Sequence, residues 1–95
     1  MAIRLIVTIA AAPGKGSELA QLYSAYCSEA IKEPGCEQFE VFQSTANPDK
    51  LLLVERWTDK AALDVHALTS TRPTLPPELR VGTSEREDYE FNRTR

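Results

Sequence analysis

Ninety-five residues suit one domain, and a chain this short buries only about 60–65% of the surface its unfolded form exposes, so association is an expected source of stability. Eleven Lys and Arg against 14 Asp and Glu leave a net charge of −3 with both signs scattered, which excludes the basic stripe a nucleic acid requires. The apolar stretch 3–12 is too short to span a bilayer. Cys27 and Cys36 are too few for a disulfide framework, and their spacing fits neither a redox pair nor a four-ligand zinc site. The expectation is a cytoplasmic protein with free, buried thiols, no metal, and no nucleic-acid or membrane partner.

In residues 3–11, Ile3, Leu5, Val7 and Ile9 alternate with Arg4, Ile6, Thr8 and Ala10, the period of a strand, and the partly apolar even set predicts cover on both faces. Pro13-Gly14-Lys15-Gly16 breaks it in a plain turn, since the glycine spacing of a phosphate loop is absent, and Ser17 is a candidate helix cap. Leu19, Leu22, Tyr23, Tyr26, Cys27, Ala30 and Ile31 then fall on one stripe of a helix. That helix ends near Lys32, because Pro34 disfavours helical geometry at Glu33 and Gly35 supplies a turn.

Residues 36–45 alternate again, with Phe39 and Val41 on one side and Cys36, Gln38, Glu40 and Phe42 on the other; Asn47-Pro48-Asp49-Lys50 closes a hairpin. Its second strand, 51–57, sets Leu52 and Val54 against Leu51, Leu53, Glu55 and Trp57, so both faces are mostly apolar. Thr58 or Asp59 caps a short second helix whose weakly apolar face holds Ala62, Leu63, Val65, His66 and Ala67. The proline-rich tract 69–77 ends it, Pro77-Glu78-Leu79 starts one further helical turn, and residues 85–91 form a last strand with Glu85, Glu87, Tyr89 and Phe91 on one face. One domain over 1–92 is expected, with 93–95 frayed.

The order strand, helix, strand, strand, helix, strand is the α+β ferredoxin-like βαββαβ arrangement, an antiparallel sheet with both helices on one face. Strands one and three are apolar on both sides, so the face the helices leave open calls for a second subunit, and a two-fold homodimer is the usual solution.

Glu33-Pro34-Gly35-Cys36 and the run Glu55-Arg56-Trp57-Thr58-Asp59-Lys60-Ala61-Ala62-Leu63-Asp64-Val65-His66 resemble two hallmarks of the antibiotic biosynthesis monooxygenase (ABM) superfamily, and Pro13-Gly14 fits as well. The likeness covers residues 3–68. It implies a subunit that pairs through its open sheet face into a dimeric α/β barrel, with a cavity between sheet and helices. It also implies an oxygenase that converts a small phenolic or hydroquinone-type molecule with dioxygen, without metal, flavin or haem. An electron-rich phenolate can reduce dioxygen itself, so the protein supplies a dry pocket, orientation and a proton acceptor. On this resemblance His66 is the catalytic base, Trp57 forms the pocket wall, and Glu55, Tyr23 and Tyr26 contact substrate. Many relatives carry a second histidine where Ser70-Thr71-Arg72-Pro73 stands here. Haem-degrading relatives carry an asparagine near Thr8 and an axial histidine in the region of the proline tract, so no cofactor is expected.

Each of these residues also has a plainer reading. Trp57 at a strand end is a core side chain, His66 a packed residue, Glu55 an ion-pair partner for Arg4, and Tyr23 and Tyr26 part of any core-facing helix. The corresponding function is a non-catalytic dimeric barrel that binds a small apolar ligand or a protein partner.

Overall fold

Alternation across an extended chain gives β1 (Ala2–Ala10) two faces: Leu5 and Ile9 are buried beneath the helices with Ile3 and Val7 packed beside them, while Ile6 on the reverse face is half-buried. A computed structural model of the protein describes residues 1–69, 76–82 and 84–91. The further elements are α1 (Gly16–Ala30), β2 (Cys36–Gln43), β3 (Lys50–Trp57), α2 (Lys60–Thr69), a 3₁₀ turn (Pro77–Leu79) and β4 (Glu85–Phe91). The sheet order is β2-β3-β1-β4, with every neighbouring pair antiparallel. This is the α+β ferredoxin-like fold. Residues 70–75, most of the proline-rich tract, and the tail 92–95 lie outside the described residues. Among the described residues no helix is long and apolar enough to cross a membrane.

The expected elements form close to the expected bounds, but three local details differ. Ser17 does not cap α1; the carboxylate of Asp49, from the β2–β3 turn, accepts the backbone N–H groups of Gly14 and Gly16, both at 3.0 Å. The turn lies so close that a Cβ on Gly16 would sit 1.8 Å from the Pro48 carbonyl oxygen, which requires glycine there. Cys36 does not share a face with Gln38: the register shifts between them, so Cys36 lies opposite Trp57 and joins the core side with Phe39. On α2 only Leu63 and His66 are buried, while Val65 and Ala67 face solvent, so its apolar stripe is narrower than expected. Asp59 does cap α2, accepting the Ala62 N–H at 2.9 Å.

Cys27 and Cys36 are both free thiols. Burial, reinforced by the Glu55 carboxylate, pushes each up from the ordinary thiol value of 9.0 to about 11. The native protein therefore holds these protons to higher pH than the unfolded chain does. Their contribution to stability is intact below about pH 9 and is lost as pH rises towards about 11. Urea denaturation should show the wild type weakening more steeply across that interval than the double variant Cys27→Ala, Cys36→Ala; parallel slopes would refute the assignment.

Candidate functional site

Helical spacing of three places Tyr23 and Tyr26 on the inner face of α1, and the same spacing places Leu63 and His66 on the inner face of α2. Odd-numbered side chains of β1 and β3 rise between them. They enclose a cavity of about 300 Å³ whose walls are apolar at Leu5, Val7, Ile9, Leu53 and Leu63, with Tyr23, Tyr26, Glu55 and His66 as polar groups. Arg80, Ser84 and Arg86 also reach its wall. The volume suits a single-ring molecule.

His66 is 3% exposed and is held on every side. Its ring stacks at a tilt of 36° on Trp57, with centroids 4.6 Å apart, and meets Phe39 at 5.6 Å. Nδ1 lies 2.7 Å from Oε1 of Glu33, and Nε2 lies 3.4 Å from the Tyr26 hydroxyl. A carboxylate only accepts, so in the neutral ring the Glu33 contact puts the proton on Nδ1 and the Nε2 lone pair faces Tyr26. The long Tyr26 contact is weak, so a stronger donor in the cavity can take its place.

Glu33 reaches His66 because the loop after α1 is pinned to α2. Gly35 adopts φ +82°, and a Cβ there would come within 2.5 Å of the Ala62 Cβ. The Gly35 carbonyl accepts the Thr58 N–H at 2.7 Å, which ties this loop to the end of β3.

Glu55, 5% exposed, points to the helix side and accepts the Trp57 indole N–H at 2.9 Å. It does not pair with Arg4, which lies on the reverse face and bonds Gln38. Nor is it the residue that orients His66. Trp57 is fully buried and shields the far side of the imidazole, supporting the site from behind the cavity wall. Among the described residues no group of three or more His, Cys, Asp or Glu is placed to hold a metal ion.

The sequence model for antibiotic biosynthesis monooxygenases matches residues 2–71. The chain belongs to this family. Solved structures agree with an ABM fold along nearly the whole chain. PA3566 from Pseudomonas aeruginosa is 27% identical, over 93% of this chain and 91% of that one, with a TM-score of 0.76. A conserved protein from Methanosarcina mazei Go1 is 26% identical, over 94% and 91%, with a TM-score of 0.78. A structure of an antibiotic biosynthesis monooxygenase aligns over 93% and 96% at 18% identity, with a TM-score of 0.74, a likeness that shows the fold alone. No curated protein sequence matches the chain.

The fold thus gathers His66, Tyr26, Tyr23 and Glu55 around one cavity, with Trp57 behind. Glu33 and Phe39 were not among the expected site residues, although Glu33 opens the Glu33-Pro34-Gly35-Cys36 signature. Arg80 and Arg86 were also missed, and no motif in the sequence marks them.

Proposed function

We propose that this ABM protein is a cofactor-independent monooxygenase acting on a small phenolic or hydroquinone-type substrate. The carrying observation is the His66 imidazole, held by Glu33 through Nδ1 and directing Nε2 towards Tyr26 on the wall of a cavity floored by Leu5, Val7, Ile9 and Leu53. In this reading Nε2 accepts the phenolic proton as the ring passes an electron to dioxygen. One oxygen atom forms the new ring C–O bond, and the other leaves as water with the two hydrogens given up by the ring C–H and the phenolic O–H. A phenol plus dioxygen so becomes a quinone plus water. The walls exclude bulk water while the charged intermediates form, and Tyr23 and Glu55 supply hydrogen bonds that fix the ring. Incubation of the metal-stripped protein with a panel of hydroquinones should give oxygen uptake above autoxidation. Ligand binding with no turnover across the panel would point instead to a barrel that only binds.

The same reading includes a homodimer formed through the open sheet face. Ile6, Leu52 and Val54 are half-buried there with no helix above them among the described residues, Phe42 and Tyr89 are each 48% exposed, and an Arg56–Glu37 ion pair at 2.8 Å supplies a polar margin. Sedimentation at micromolar concentration should show a dimer, and Val54→Asp should convert it to a folded monomer by circular dichroism. A monomeric wild type would defeat the pairing. Free thiols at Cys27 and Cys36 suit a reducing, cytoplasmic setting.

A further inference from the structure

The polar groups around the cavity are sorted by charge along β1. Leu5 pairs with Glu55, Val7 pairs with Arg86, and Ala11 is bridged to Arg80. The Glu55 carboxylate lies at the end where Tyr26 and His66 also converge, with Glu33 behind, and the Arg80 guanidinium lies at the other.

Arg86 already has a partner, the Asp88 carboxylate at 2.8 Å. Arg80 differs. It is half-buried, and its guanidinium donates to the Ser84 hydroxyl at 2.6 Å. Among the described residues no carboxylate lies within ion-pair distance of it. Its backbone is fixed by the bridge to Ala11 and by the preceding 3₁₀ turn, where its N–H meets the Pro77 carbonyl at 3.4 Å. A guanidinium carries five donors in a planar fork that matches a carboxylate, and the apolar walls strengthen such a pair over its value in water.

We infer that the cavity takes a quinol bearing a carboxylate arm, with Arg80 holding the carboxylate and His66 meeting the ring hydroxyl. This rests on the oxygenase reading of the same cavity. It also fixes which way round the substrate enters: reversed, the carboxylate would face Glu55 and the hydroxyl would face the guanidinium. Ser84 steadies Arg80 from the side and is a positioning residue.

The test compares 2,5-dihydroxyphenylacetate with its methyl ester, two ligands of the same ring that differ in one charge. Binding is measured by calorimetry under argon, so that no turnover intervenes, and oxygen uptake is then followed in air. The acid should bind about tenfold or more tightly than the ester. Arg80→Gln should bring the acid down to the ester's affinity, and Arg80→Lys should keep part of the preference, with folding checked by circular dichroism. Equal affinities in the wild type, a preference that survives in Arg80→Gln, or no binding of either ligand at millimolar concentration would each overturn the inference. Selective binding of the acid without oxygen uptake would remove the oxygenase reading and leave the carboxylate site standing. Equal binding and equal oxidation of acid and ester would do the reverse.

Discussion

Replacing His66 by alanine is expected to lower kcat/KM for hydroquinone oxidation by about 10²–10⁴, the range associated with loss of a positioned general base. The ring is the polar group of the cavity oriented by a second residue, and it is the one imidazole among the described lining residues. Removing it also leaves a void against Trp57 and Phe39, so folding must be checked alongside rate. Glu33→Gln separates the two effects, because it keeps the volume and changes only the hydrogen bond. An amide can donate to Nδ1 as well as accept from it, so the variant should shift the imidazole proton towards Nε2 and lose part of the rate. His66 is the only histidine of the chain, and its ring nitrogen-15 resonances report the tautomer without ambiguity. Full activity in His66→Ala, or a wild-type ring carrying its proton on Nε2, would sink the role given to this pair.

Trp57→Ala should destabilise the fold by about 3–5 kcal/mol, the cost of truncating a fully buried aromatic side chain. In a chain of this size each kcal/mol corresponds to about 4–8 °C in melting temperature. The indole meets Phe39 edge-on at 6.3 Å and His66 at 4.6 Å, so its loss loosens two further rings at once. It also removes the N–H that the buried Glu55 carboxylate accepts, which adds an electrostatic penalty to the cavity. Trp57→Phe keeps most of the packing while deleting that donor, and should lose about 1–3 kcal/mol. Urea denaturation distinguishes the two; equal losses would mean that the indole hydrogen bond, not packing, dominates. Since the alanine variant is strongly destabilised, inactivity in it says nothing about catalysis. His66 and Glu33 remain the informative positions.

The paired open face and the cavity draw on the same strands. Even-numbered residues of β1 and β3 serve the proposed dimer, while odd-numbered ones line the cavity or its support. A one-residue slip in either strand would exchange the two sets, so the β1–β3 register, Leu5 opposite Glu55 and Val7 opposite Leu53, guards both functions together.

Where a structural feature depends on neighbours in the chain, the sequence determined it. The period of two in β1 and β3, the stripe of α1, the Asp59 cap, the stop at Pro34-Gly35 and the span of β4 all arise from local dihedral and burial preferences, and the ferredoxin-like order follows from them. The motif around Trp57 and His66 placed the chain in its family for the same reason. Tertiary structure decided what local rules do not reach. It set Asp49 rather than Ser17 at the start of α1, turned Cys36 inward through a bulge opposite β3, and narrowed the buried stripe of α2 to Leu63 and His66. Above all it joined Glu33 to His66 across 33 residues of sequence, and brought Arg80 to the cavity through its bridge to Ala11. Such contacts exist only once the sheet and helices have packed, because charge and hydrogen-bonding capacity are written in the residue while the partner is supplied by the fold.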